Sequence, residues 1–355
     1  MNRFLRPAVF SISVLVFLAF TLGAGLTDTL AEGADSLIFY YVAMAFSGVA
    51  VWAFFPTNIN LRKASLVILG IAVLARILMA GFPTSDDVNR YLWEGKLLLE
   101  EVSPYSRTAD DPAWSPHRDI FWEGMNHKDK KTAYPPLALA LFAGLNLISY
   151  NLWLYKLFFG FMDIATLGIL MKFLVYRNLP VRNSIIYALS PLTVLAFSGE
   201  AHFDSLFIFL TLSALYLYDK NRISSAWILL GLSIQIKLMS VLIIPLLFWK
   251  YRSAKALWIL VPLVLPCLFF INDIPNLING ILHFGSSMSH NGSINHLFID
   301  ILGNRESASK LSLALLAITV LVVSIRSTDA IKGAYIIFGA LILLSPTVHY
   351  WYLSW

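Results

Sequence analysis

Long apolar runs, each closed by a short cluster of basic residues, alternate with polar connectors along the chain. The first run, 8–26, is long enough to cross the ~30 Å hydrocarbon core of a bilayer. Further spans are predicted near 37–55, 64–82, 152–175, 184–198, 205–218, 257–271, 311–325 and 333–345. The apolar stretch 224–249 is too short for two ordinary spans, yet basic clusters flank both of its ends. An even number of crossings is therefore required, which predicts a broken helical hairpin with its vertex near Lys237; such breaks are tolerated where they line a cavity. The pattern gives an all-α, polytopic transmembrane bundle of about ten spans, counting the broken hairpin, organised as one domain over 1–355.

The main interruption is the polar loop 83–133, which holds ten acids and seven Lys or Arg together with Trp93, Trp114 and Trp122. Such aromatic enrichment suits a loop lying against headgroups. Within it, Val88, Tyr91, Leu92, Leu98, Leu99 and Val102 recur at helical spacing until Pro104, predicting an amphipathic helix of about four turns. Thr84 with Asp87 would form a capping box at its start, with Asp86 complementing the helix dipole. The apolar piece 134–149 is assigned to a helix lying in the interface, because a crossing there would place the Lys172, Arg177 and Arg182 cluster on the wrong side.

Charge settles the orientation. The segments 1–7, 56–64, 172–183, 219–223, 250–256 and 326–332 carry 14 of the 26 Lys and Arg but only 2 of the 21 acids, so by the positive-inside rule they are cytoplasmic. The loop 83–133, a turn at 199–204 and a second loop at 272–309 then face outward, as do all seven histidines (117, 127, 202, 283, 290, 296 and 349). The net charge of +5 is dispersed between apolar runs rather than gathered in one patch, which excludes a nucleic-acid interface. A hydrophobic share of 58% with 13% charged residues also excludes an ordinary soluble domain. The single Cys267 lies in an apolar run and forms no intrachain disulfide. The basic Arg3 and Arg6 followed by a long apolar run read as a retained helix, since a cleaved signal has a shorter core of roughly 7–15 residues. The acidic connector at 27–35 follows on the outside.

Three places concentrate chemistry. Ser85-Asp86-Asp87 opens the polar loop, Glu200-Ala201-His202-Phe203-Asp204 sets three ionisable groups between two spans, and Lys237 lies midway through an apolar run. A lysine at such a depth costs on the order of 2.5–3.5 kcal/mol, so it should face a partner or a cavity, and an anionic substrate group is one such partner. Lys156 and Asp163, seven residues apart on one span, are expected to pair structurally with other helices. No histidine or cysteine spacing specifies a metal site; a divalent cation is the one cofactor left open.

The run Ser85 to Gly95, with Ser103-Pro104-Tyr105, Asp110-Asp111-Pro112, Asn126-His127 and Tyr134-Pro135-Pro136-Leu137, resembles the first outer loop of bacterial GT-C glycosyltransferases, in particular the polyprenol-phosphate-mannose-dependent mannosyltransferases. The turn at 199–204 resembles their second outer loop, Lys237 a recurring lysine in a broken helix, and 345–352 a late histidine and aromatic motif. Asn89, Glu94 and Ser103 depart from the residues common at those places. The resemblance implies transfer of a hexosyl, in particular mannosyl, residue from a polyprenyl-phosphate sugar to an acceptor hydroxyl of a glycan, lipid or polypeptide, with inversion, at the outer face of the bacterial inner membrane. It implies Asp86 or Asp87 as general base, with Asp86 preferred because the capping box would commit Asp87, and Lys237 or Arg90 on the donor phosphate. Tyr91, Trp93, Glu94, Tyr105, Tyr134, Glu200, His202, Asp204 and His349 complete the implied substrate site. Members of that group carry further helices after the last motif, so the fold is expected to continue beyond Trp355 or the reading frame to be truncated.

Two other functions fit broken helices with intramembrane charge: a secondary transporter or lipid flippase, and an inactive homologue serving as an assembly partner. A transporter has little use for a long outer loop opening on two carboxylates. The orientation is tested by reporter fusions: one after Asn126 should report the extracytoplasmic side and one after Arg182 the cytoplasmic side. The same side in both would overturn the interfacial assignment of 134–149.

Overall fold

The computed structural model describes residues 5–27, 34–54, 60–287 and 290–355. Arg3, the connector at 28–33 and residues 55–59 lie outside the described residues, as does the side chain of His283. In chain order the α-helices are α1 Leu5–Gly25, α2 Ala34–Phe54, α3 Leu61–Met79, α4 Asp86–Leu99, α5 Ile120–Gly124, α6 Pro136–Ile148, α7 Leu152–Tyr176, α8 Ile185–Ala188 and α9 Pro191–Thr193. They continue with α10 Asp204–Asp219, α11 Ile223–Ile236, α12 Ile244–Tyr251, α13 Leu260–Leu268, α14 Ile274–Ser287, α15 Ser293–Leu302, α16 Arg305–Arg326 and α17 Ala330–Leu344. Among the described residues there is no strand, only isolated bridges from His290 and Asn291 to Thr347. Helices α1, α7 and α16 are each long and apolar enough to cross a membrane. Two bent pairs, Pro191–Gly199 with Asp204–Asp219 at 120° and Ala254–Leu268 with Ile271–Ile281 at 89°, raise the number to five if each counts as one span. The protein is an all-helical membrane protein.

The chain falls into two compact units, residues 1–89 with 149–212 and residues 90–148 with 213–355. In the first, α1 lies along α2 and against α3. Gly25 and Gly81 permit the close approach of α1 to the end of α3: a Cβ on Gly25 would stand 2.1 Å from the Leu78 carbonyl oxygen. Helix α3 also packs against α7 and against the stretch 194–199.

The run 184–198, predicted as one span, is broken into α8, α9 and a π-helical turn Val194–Gly199. The cause is Pro191, which has no N–H to give the Tyr187 carbonyl four residues before it. Thr193 Oγ1 donates to that carbonyl at 3.5 Å and to Ser190 O at 3.1 Å. The Ala188 carbonyl is taken by Arg76 Nη1 at 2.5 Å, and Arg76 Nη2 reaches Thr193 Oγ1 at 3.2 Å. Arg76 Nε in turn pairs with Asp163 Oδ2 at 2.7 Å, and Tyr187 donates its hydroxyl to Asp163 Oδ1 at 2.5 Å. Arg76 and Asp163 are buried. Asp163 is thus an interhelical anchor, as expected, with a partner that the sequence pattern did not single out.

In the second unit the loop after α4 builds its own core from Trp93, Leu97, Ala109, Trp114 and Met125. Asp119 caps α5, accepting from the N–H groups of Phe121 and Trp122, and pairs with Lys96 at 2.8 Å. Gly95 lets α4 meet α6, since a Cβ there would stand 2.7 Å from both Asn146 Nδ2 and the Phe142 carbonyl carbon. Asn146 Nδ2 then donates to Leu92 O at 2.8 Å. The region 272–309, expected as a loop, is largely helical in α14 and α15. Helices α15, α16 and α17 pack on one another, and α12 packs on α16.

Removing one member of a buried pair strands the other charge, so Asp163→Ala should cost about 3–5 kcal/mol. The double change Arg76→Met with Asp163→Leu should cost less than Asp163→Ala alone. Denaturant titration of the purified protein measures both, and equal losses would show that the charge pair is not the source of the effect.

Candidate functional site

In the first unit two turns meet. Helix α3 ends at Met79, and Lys156 of α7 holds the following turn by donating to the carbonyls of Ala80, at 2.8 Å, and Phe82. The Ser85 N–H donates to Glu200 O at 3.1 Å, which fastens the start of α4 to the second turn. That second turn leaves the π-helical stretch with Glu200 N–H on Leu195 O at 2.8 Å and His202 N–H on Ala196 O at 2.9 Å. It closes through Ala201 in the left-handed region at φ 60°. A non-glycine residue held there costs on the order of 1–3 kcal/mol, and π-turns and such strain both concentrate at functional sites.

The consequence is a line of three side chains. His202 is 1% exposed; its Nε2 lies 3.0 Å from Glu200 Oε2 and its Nδ1 3.7 Å from Asp87 Oδ2. The longer distance exceeds a direct hydrogen bond, so His202 acts on Asp87 as a neighbouring dipole or charge. Asp204 opens α10 and is buried, complementing the helix N-terminus. Asp86 points elsewhere: it is exposed and accepts from Ser85 Oγ at 3.3 Å. The capping box of Thr84 with Asp87 does not form. Helix α4 begins at Asp86, one residue too late for Thr84 to be its cap. Ser85 Oγ accepts the Asp87 N–H at 3.3 Å instead. The ground for preferring Asp86 over Asp87 therefore falls away.

In the second unit most of the expected site residues have partners within the protein. Arg90 Nη1 pairs with Glu94 Oε1 at 2.9 Å while Nη2 holds the carbonyls of Asn126 at 2.8 Å and His127 at 2.6 Å, with Arg90 and Glu94 both buried. Trp93 donates its indole N–H to His117 O at 3.0 Å inside the loop core. Tyr91 stacks on Phe142 at 4.7 Å and meets Tyr134 edge-on at 5.5 Å. Tyr105 donates its hydroxyl to Tyr134 O at 2.6 Å, and burial pushes its own ionisation up.

Lys237 is different. It sits in extended backbone, φ −149°, between α11 and the 3₁₀ turn Leu238–Ile243, so the helix breaks at the predicted residue. A Ser233 to Ser240 hydroxyl contact of 2.8 Å spans the break. Its ammonium stands over the rings of Tyr352 and Trp355, 4.5 and 4.6 Å from their centroids. His349 belongs to the same aromatic group, stacked on Trp351 at 4.4 Å and 5.5 Å from His290. The sequence named the lysine and the late aromatic run separately; nothing in their spacing joined them. Among the described residues no group of three or more His, Cys, Asp or Glu is placed to hold a metal ion.

The family described as "Alpha-(1->6)-mannopyranosyltransferase, N-terminal domain" (the MptA_B family) matches residues 16–253. The match takes in both turns of the first unit, α4 and the Lys237 break. No curated protein and no solved structure matches the chain.

Glu94 gives this region a measurable pH dependence. Burial raises its carboxyl above the ordinary value of 4.5, with Arg90 pulling the other way. A raised folded-state value means that the fold binds the proton more tightly than the unfolded chain does. Its contribution to stability is full below the ordinary value and is lost as pH rises through the folded one. Glu94→Gln should flatten the curve of melting temperature against pH above 4.5. An unchanged slope would assign the dependence to another group.

Proposed function

Because the chain belongs to the alpha-(1->6)-mannopyranosyltransferase N-terminal-domain family, we propose that it transfers a mannosyl residue from a polyprenyl-phosphate donor to an acceptor hydroxyl, with inversion, and that Asp87 is the general base. The observation that carries the assignment is the line of Glu200, His202 and Asp87, built on a strained turn. In this reading the Asp87 carboxylate takes the acceptor proton as the oxygen attacks the anomeric carbon. The bond from that carbon to the phosphate oxygen breaks, and the lipid phosphate leaves with the electron pair. His202 lies beside the carboxylate as a neighbouring dipole or charge, and Glu200 orients His202. Asp86, exposed on the neighbouring helix position, takes no proton.

The donor phosphate is assigned to Lys237, because Arg90 already spends its guanidinium on Glu94, Asn126 and His127. An ammonium offers charge without fixed geometry, which suits a leaving phosphate whose charge grows during the reaction. Its aromatic neighbours Tyr352 and Trp355 offer faces for an isoprenoid chain. The acceptor is a glycan, lipid or polypeptide hydroxyl. The single catalytic domain over 1–355, the ten-span count, the outward placing of 83–133 in the bacterial inner membrane, and the interfacial position of α6 belong to the same proposal. In this reading α3, which carries Arg76 in its last turn, and the shorter apolar helices α2, α11, α12 and α17 add five crossings to the five counted above.

The test is transfer of radiolabelled mannose from the lipid donor into a membrane extract. Asp87→Asn should lower turnover by roughly 10²–10⁴-fold at unchanged melting temperature, with Asp86→Asn near wild type. Lys237→Met should raise the donor requirement. Loss in Asp86→Asn with full activity in Asp87→Asn would exchange the two roles, and full activity in both would remove the pair from the chemistry.

A further inference from the structure

The first unit holds a cavity of about 290 Å³ away from both turns described above. Leu61 and Ala64, in the first turn of α3, form one wall; Val175, Leu179 and Val181, at the end of α7 and just beyond it, form the other. Among the described residues of the lining, Arg182 is the one charged side chain. The walls continue outward as uncovered apolar surface, with Leu61 53% exposed, Val175 44% and Leu179 48%. Helix α7 has 25 residues. At that length it runs about 37 Å, more than the ~30 Å hydrocarbon core. Lys172, Arg177 and Arg182 cluster at its C-terminal end, which by the positive-inside rule puts that end, and the cavity beside it, at the membrane surface.

Charge identifies the occupant. Arg62, Lys63, Lys172, Arg177 and Arg182 fall within 60–64 and 172–183, and neither segment contains an acid. A slot with apolar walls and one guanidinium, its walls supplied by two segments that carry four further cations and no acid, matches a molecule with a hydrocarbon chain and a negatively charged head. We propose that this cavity binds an anionic glycerophospholipid, its phosphate on Arg182 and one acyl chain along Leu61, Val175 and Leu179. A free phosphate has nothing to gain from these walls. A zwitterionic lipid gains little from the surrounding cations, whereas an anionic one gains a contribution from each basic residue near the surface. The site is independent of the glycosyl-transfer reading and lies among residues to which that reading gives no role.

Native mass spectrometry of the full chain, released from detergent with equal amounts of dioleoyl phosphatidylglycerol and dioleoyl phosphatidylcholine, tests it. Phosphatidylglycerol should be retained preferentially, and Arg182→Gln should reduce that preference about fivefold, the effect expected of one cation at a membrane surface. Ala64→Leu, which narrows the slot without touching charge, should reduce retention in its own right and serves if Arg182→Gln does not fold. Glycerol 1-phosphate should not displace the lipid. Equal retention of the two lipids by the wild type, or full preference in a folded Arg182→Gln or Ala64→Leu, would overturn the proposal. Displacement by glycerol 1-phosphate would overturn it in favour of a phosphate site.

Discussion

The first unit depends on one buried ion pair, Arg76 with Asp163. Taking both charges out of water costs several kcal/mol per ion, and their attraction repays it only when the remaining donors and acceptors are satisfied. Here they are satisfied by a helix that could not satisfy itself. Pro191 leaves the Tyr187 carbonyl without its helical donor. The break that follows offers Ala188 O to the Arg76 guanidinium, Thr193 Oγ1 to its second nitrogen and the Tyr187 hydroxyl to Asp163. The pair is thus less a source of stability than a condition on geometry: with it in place the chain has one way to pass from α8 through the π-turn. That passage delivers Glu200, whose carbonyl takes the Ser85 N–H.

The parts of this arrangement legible in the sequence were those with a local signature. Helical spacing from Val88 marked α4, the length and apolarity of 152–175 marked α7, and flanking basic clusters around a short apolar stretch marked the break at Lys237. Asp163 was marked by being a carboxylate in an apolar run, but its partner was not: Arg76 sits near a span end, where a basic residue ordinarily reads as topology. Pro191 carries a helix-breaking signal, but it lies inside an apolar run long enough to read as one span. The capping box failed for a different reason. Thr84 and Ser85 are both good N-caps, and local preference cannot choose between adjacent ones. The bond from Ser85 N–H to Glu200 O, more than a hundred residues away in sequence, chooses.

The substrate residues inferred by resemblance divide along the same line. Tyr91, Trp93, Tyr105 and Tyr134 were named as a recognition set, and each is found in ring packing or a hydrogen bond to backbone. Polar-tipped aromatics do this whenever a small core must also satisfy carbonyls. A motif can therefore recur because it folds a loop as readily as because it touches a ligand. Arg90 illustrates the point: with Glu94 opposite and two carbonyls on its fork, it closes the loop at 126–127.

Adjacent acids at a helix start look interchangeable in a sequence, and the geometry shows why they are not. Successive residues on a helix point about 100° apart, so only one of Asp86 and Asp87 can face the turn that Ser85 fastens. That one is Asp87, 3.7 Å from a histidine whose other nitrogen already rests on Glu200. A general base needs a fixed direction as much as it needs basicity, because proton transfer falls off when the acceptor hydroxyl must find a wandering carboxylate. Asp86 is exposed and touched by the hydroxyl of its neighbour Ser85. Which carboxylate faces that turn is set one residue earlier, where Ser85 Oγ accepts the Asp87 N–H at the helix start.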